Sequence, residues 1–231
     1  MVRIVQNVKR VELISATKLS PSSSTLYFKD DMEGTLKWVT AAGTWTKDAT
    51  AGYIIYDTSA LKGVTDAGGT FNANTYINIP TARQLSDTKI GVELYIFSLN
   101  VTNANVANLT FDLDIFNGTN NYLMKIRYLP TGAATGKWQY WNSAGAYADI
   151  AGATQALVAG VWARVKFVID TRVWEYVKLE ILNNEFDLSG IAVQTVGAST
   201  AAYMRLYIKY FSVDATQQTF YADNFSVTYN E

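Results

Sequence analysis

The strongest constraint in this chain is alternation. At residues 89–98, Ile90, Val92, Leu94 and Ile96 fall on one side of an extended chain, and Lys89, Gly91, Glu93 and Tyr95 on the other. At residues 108–116, Leu109, Phe111, Leu113 and Ile115 oppose Thr110, Asp112 and Asp114. Successive side chains of a strand point to opposite faces, so an apolar set with a period of two marks a strand with one face in a core. The pattern recurs at 75–79, 161–170, 174–182 and 204–213. Shorter runs at 26–29, 37–39, 52–57, 122–128, 137–142, 147–150 and 219–229 read as further strands, with turn residues such as Asn117, Gly118, Asn183 and Asn184 between them. About a dozen short strands with no segment of helical period predict an antiparallel sandwich or barrel.

A chain of 231 residues suits one large β domain or two small ones. No linker interrupts the middle, so residues 26–231 read as one domain. Residues 1–25 differ: Val2, Ile4, Val8, Val11, Leu13 and Ile14 are scattered among charges, and a linker-like K-L-S-P-S-S-S-T follows at 18–25. This stretch reads as an extended arm or, alternatively, as the first strand of the sandwich. An aperiodic amphiphilic arm cannot bury much apolar area by itself. It is therefore expected to add a strand to an exposed sheet edge of a second copy, giving a homo-oligomer.

Composition removes several function classes. There are 19 basic and 20 acidic residues and no basic stripe, so nucleic acid is not an expected partner. The near-zero net charge suits a protein that packs against copies of itself. No stretch approaches the ~18 apolar residues of a membrane span. No apolar run of signal-peptide length follows Lys9 and Arg10, so the chain is expected either to leave the cell by another route or to have lost a leader. Cysteine and histidine are both absent. Disulfides, thiolate or imidazole metal sites and histidine-based catalytic triads are excluded, leaving carboxylate, lysine or tyrosine chemistry or an oxygen-ligated metal.

Three passages resemble the concanavalin A-like lectin/glucanase superfamily of LamG-type jelly rolls. They are F-K-D-D-M-E-G at 28–34 followed by Trp38, G-V-W-A-R-V-K-F-V-I-D at 160–170, and F-Y-A-D-N-F-S-V-T at 220–228. In order and spacing the resemblance covers residues 26–229. It implies two stacked antiparallel sheets with the chain ends close together. The superfamily includes lectins, glycosidases and phage or surface structural domains, and the fold does not choose among them. Its retaining glycosidases carry E-x-D-x-E or E-x-D-x-x-E on one strand, to place two carboxylates at one bond. Here Asp112 and Asp114 share a face, but Thr110 and Phe116 stand where glutamates would complete the set. No catalytic residue is assigned on this ground, and the protein is expected not to be an enzyme. Many relatives hold a structural calcium near the paired ends. No cofactor is required, and a calcium, if held, is expected on Asp30, Asp31 and Asp223.

Trp138, Tyr140 and Trp141 form an aromatic cluster of the kind that stacks on sugar rings. Alternation sends Trp138 and Tyr140 to one face and Trp141 to the other, so at least one set belongs to a core. Asp112 and Asp114 read as carboxylates facing solvent or as contacts to a saccharide or a cation. Glycosylation sequons stand at Asn100, Asn108, Asn117 and Asn224. Together these features suggest a non-catalytic, self-associating structural protein of a virion, as a capsid, decoration or appendage component. The alternative is an extracellular carbohydrate-binding or adhesion module. The expected location is a virion or the cell exterior.

Overall fold

The computed structural model describes residues 24–50, 52–55, 58–67, 72–80, 88–197, 202–213 and 215–231. These residues form two antiparallel sheets and no helix. The back sheet runs β13 (Asn184–Ala192), β12 (Glu175–Ile181), β11 (Ala163–Asp170), β6 (Lys89–Ser98), β16 (Thr219–Tyr229), β4 (Ala60–Val64) and β3 (Thr44–Asp48). β1 (Thr25–Asp30) also pairs with β16. The front sheet runs β10 (Tyr147–Asp149), β9 (Gly136–Trp141), β8 (Asn121–Pro130), β7 (Val106–Phe116), β15 (Tyr203–Ser212), β5 (Asn72–Ile79) and β2 (Val39–Ala42). β14 (Gln194–Val196) pairs with β8.

The alternating apolar sets meet between the sheets. Phe111, Leu113, Met124, Ile126, Leu206 and Ile208 of the front sheet face Val92, Leu94, Val165, Phe167, Phe225 and Val227 of the back sheet in one buried core. Each such side chain contributes roughly 2 kcal/mol on burial. Registers follow from this pattern, because a slip by one residue would turn every apolar side chain outward. Thr25 pairs with Tyr229, so the described chain ends lie side by side. Most of the arm expected at residues 1–25 lies outside the described residues; Thr25 itself begins β1.

Some expected elements differ. Residues 52–55 form a turn and bend where a strand was expected at 52–57. Tyr53 stacks on Tyr221 at 4.7 Å and packs on Phe97, so its apolar residues cover the outer side of the back sheet. β3, β4, β13 and β14 carry too little alternation to be read from sequence. β13 is an edge strand whose side chains, apart from Leu188, are largely exposed. Gly43 alone separates β2 in the front sheet from β3 in the back sheet. It takes φ +66°, and a Cβ there would lie 2.5 Å from the carbonyl oxygen of Val64. Only glycine permits that close crossing.

Candidate functional site

The outer face of the front sheet collects the polar halves of its alternating strands. On the central strand β7 these are Thr110, Asp112 and Asp114. In β15 the register places Lys209 beside Thr110, Tyr207 beside Asp112 and Arg205 beside Asp114. On the other flank, in β8, Arg127 pairs with Thr110 and Lys125 with Asp112. Tyr76 and Asn78 of β5 extend the row beyond β15, and Gln139, Trp141 and Tyr147 of β9 and β10 extend it beyond β8. Six strands at the usual spacing make a band about 24 Å across.

Asp112 lies at the centre and is 3% exposed. Its Oδ2 accepts from Lys209 Nζ at 2.6 Å, with Lys125 Nζ at 3.9 Å, while its buried Oδ1 has no hydrogen-bond partner among the described residues. Asp114 is held well above the usual carboxylate range, at about 6, by burial first and by the charge of Asp112 second. Lys125, Lys209 and Arg205 pull it in the opposite direction. A carboxyl poised near neutrality can give or take a proton at working pH. Burial, followed by Asp112, pushes the Tyr147 hydroxyl up to about 12, so it stays protonated.

Aromatic rings position the cations. Arg205 lies 4.6 Å from the ring centre of Tyr76 and 5.0 Å from that of Tyr203, and it donates to Asn78 Oδ1 at 2.9 Å and Tyr207 Oη at 3.0 Å. Lys125 Nζ sits 4.5 Å over Trp141, and the Arg127 guanidinium 3.6 Å over Tyr147. Arg127 Nε donates to Gln139 Oε1 at 2.8 Å. Trp141 Nε1 donates to Gln194 Oε1 at 2.6 Å, which fixes the indole between β9 and β14.

The expected site residues separate on this frame. Trp141, Asp112 and Asp114 share the front face. Trp138 does not: it is 0% exposed, donates its indole N–H to the carbonyl of Gln155 at 2.9 Å and packs on Tyr128 in the core. It cannot be a sugar platform. Tyr140 points the same way and packs against the core and Tyr176. Asp112 faces outward as alternation requires, but long cationic neighbours bury it where a solvated carboxylate was expected. Lys125, Arg127, Tyr147, Arg205, Tyr207 and Lys209 were not read from sequence as site residues. Alternation places each on an outward face, but nothing local reveals which strands lie side by side.

Asp30, Asp31 and Asp223 do not converge. Among the described residues no group of three acidic side chains is placed to hold a metal ion. Asp30 turns inward, accepting from Met32 N at 3.2 Å, Lys37 Nζ at 3.4 Å and Trp38 Nε1 at 3.1 Å. Asp31 Oδ1 accepts from Glu33 N at 3.2 Å. Asp223 lies beneath the turn at 52–55, accepting from Ile55 N at 3.1 Å and Asn224 N at 2.7 Å. The reason is one of sides: Asp30 reaches Trp38, which packs on Phe225 in the core, whereas Asp223 faces the outer side of the back sheet.

No protein-family model matches the sequence, and no curated protein matches it significantly. Solved structures do match the fold. A carbohydrate esterase from the Shiga toxin-encoding bacteriophage phi24B is 16% identical with a TM-score of 0.62, over 90% of this chain and 100% of that one. An endo-β-1,4-glucuronan lyase from the fungus Trichoderma reesei is 13% identical with a TM-score of 0.56, over 88% and 95%. An alginate lyase in complex with an alginate tetrasaccharide is 11% identical with a TM-score of 0.50, over 84% and 97%. The chain thus has the jelly-roll β-sandwich fold of these carbohydrate-active proteins. This overturns the expectation that it is not an enzyme. That expectation rested on a missing glutamate pair and missing histidines, which excludes two chemistries and leaves those available to the aspartates, tyrosines and lysines of the front face.

Proposed function

We propose that this protein is a carbohydrate-active β-sandwich that lays a glycan chain across the front sheet and acts on it by acid–base chemistry, with Asp114 as the proton carrier. The observation that carries the reading is the single row on one face: rings at Tyr76, Tyr207, Trp141 and Tyr147, cations between them, and the Asp112–Asp114 pair at the centre. Ring faces stack on sugars, and a carboxyl raised to about 6 suits proton transfer near neutral pH. The fold shared with a carbohydrate esterase and two polysaccharide lyases supports the same reading. The test is incubation with a panel of purified polysaccharides, followed by chromatography of the products. Wild type should modify at least one polymer, and Asp114→Asn should bind it without turnover. An Asp114→Asn variant with full turnover would remove Asp114 from the chemistry.

We place the chain with the concanavalin A-like jelly rolls on the three sequence passages and the sandwich. We place it on a virion or outside the cell, as a self-associating component, and the similar phage protein supports that location. Native mass measurement of full-length protein and of a chain lacking residues 1–24 tests the self-association. Full-length oligomer and truncated monomer is the expected pair of results, and two monomers would refute it. Among the described residues no helix is long and apolar enough to cross a membrane.

A further inference from the structure

The two outer faces of the sandwich hold their cations differently. On the back sheet long cations meet carboxylates. Arg164 lies 2.7 Å from Glu93 and 2.8 Å from Glu180, Lys166 2.6 Å from Glu231, and Lys178 2.7 Å from Glu180 and 2.8 Å from Glu185. On the front sheet Arg205 is surrounded by Tyr76, Tyr203 and Tyr207 and donates to a neutral amide and a phenol. Arg127 lies over Tyr147 and donates to the amide oxygen of Gln139. Neither arginine forms an ion pair among the described residues.

A ring face or an amide oxygen fixes a cation in place without cancelling its charge. A carboxylate cancels it. The front face therefore keeps positive charge that the back face neutralises internally. Asp112 engages Lys209 and, more distantly, Lys125. Asp114, at about 6, is largely ionised at neutral pH and offsets one further charge, so four cations face two carboxylates. Lys137, at the rim, is paired with Asp149 at 2.9 Å and adds nothing. The excess sits on two guanidinium groups, one on each flank of the aspartates. Their planar forks match a carboxylate with two parallel hydrogen bonds.

We propose that the glycan bound by the front face is a polyanion bearing carboxylates, a chain of uronic acid type, with Arg205 and Arg127 receiving carboxylates on either side of Asp112 and Asp114. This rests on the reading that the front face binds a glycan. It adds the substrate class, which the neutral glucans and galactans of a generic lectin or glucanase would not satisfy.

The experiment compares polymers that share a backbone. Oligogalacturonate and oligoalginate are titrated against the full chain, each beside its carboxyl-reduced form, at low and high salt. The acids should bind about tenfold more tightly than the reduced forms at low salt, and the gap should narrow as salt screens it. Arg205→Gln and Arg127→Gln should each narrow the gap, whereas Lys178→Gln on the back sheet should leave it unchanged. Trp141→Ala separates the two levels of the claim. If acids and reduced forms bind equally and Trp141→Ala weakens both, the face binds glycan and the charge inference is overturned. If Trp141→Ala affects neither, the face is not the binding site and the underlying reading fails. A sulfated dextran that binds more tightly than either acid would overturn the assignment of carboxylates.

Discussion

The hydroxyl of Tyr176, rooted in the back sheet, donates to the carbonyl oxygen of Trp141 in the front sheet at 3.0 Å. It also accepts the amide N–H of Lys125 at 2.9 Å. The β8–β9 ladder ends at the pair Ile126 and Tyr140, and β14 becomes the partner of β8 from Leu123 onward. The Tyr176 hydroxyl fills the gap between the two pairings. Lys125 and Trp141, stacked on each other at the front face, thus take their backbone positions from a side chain of the opposite sheet. Burial pushes the Tyr176 hydroxyl up, so it remains a donor across the physiological range.

Tyr176→Phe should therefore act twice. It leaves the Lys125 amide and the Trp141 carbonyl without this partner in a buried place, at a cost of about 2 kcal/mol. It also frees Trp141 to shift, so glycan affinity should fall. Thermal melting and calorimetric titration of the same preparation check both effects. Unchanged affinity would mean that the gap does not govern the face.

The two tryptophans of β9 should behave oppositely. Trp138→Phe removes a buried indole N–H bond and core volume, and should lower stability by roughly 1–3 kcal/mol while glycan affinity holds. Trp141→Ala should leave stability within about 1 kcal/mol and weaken glycan binding about tenfold. Equal losses of affinity in both variants would contradict the division into core and site.

Asp114 gives a signed pH dependence. Its folded-state value, about 6, lies above its ordinary 3.8, so between these values the folded chain binds more protons than the unfolded one. Its contribution to stability is present below the unfolded value and is lost as pH rises through the folded one. Asp114→Asn should stabilise the protein by about 2 kcal/mol at neutral pH, allowing for partial solvent screening, and flatten the stability curve between pH 4 and 6. Urea titrations at several pH values check this. An unaltered curve would mean that Asp114 titrates as an ordinary carboxylate.

At the end of β1, Asp30 holds the following loop through Met32 N, Lys37 and Trp38. Asp30→Asn weakens these charge-assisted bonds and should cost about 2 kcal/mol, read as a lower melting temperature. The loss should be the same with and without a calcium chelator. Wild-type protein that melts several degrees lower on chelation would instead place a stabilising calcium near Asp30 and Asp31, because a ligand of the folded state alone raises stability.

What the sequence made legible follows the alternation. Leu109, Phe111, Leu113 and Ile115 face the core, Asp112 and Asp114 face away, and Trp138 and Trp141 part in the expected sense. β3 and β4 escaped because strands of five residues, such as T-W-T-K-D at 44–48, have too little apolar content to show a period. The site escaped for a different reason. Arg205, Tyr207 and Lys209 lie beside Asp114, Asp112 and Thr110 only because β15 pairs with β7 across some ninety residues of chain. That adjacency is a property of topology, invisible to any local window. The calcium expectation depended likewise on where two ends meet, and on which sides Asp30 and Asp223 face.

Backbone amide shifts in isotope-labelled protein, recorded by NMR during titration with oligogalacturonate and oligoalginate, locate the glycan on the sandwich. The perturbed residues should lie in β5, β15, β7, β8 and β9, centred on Asp112, Asp114, Lys125, Trp141, Arg205 and Tyr207. Perturbations centred instead on the back sheet around Arg164 and Lys178, or around the exposed side chains of Leu99, Val158 and Val161, would contradict the assignment of the front face.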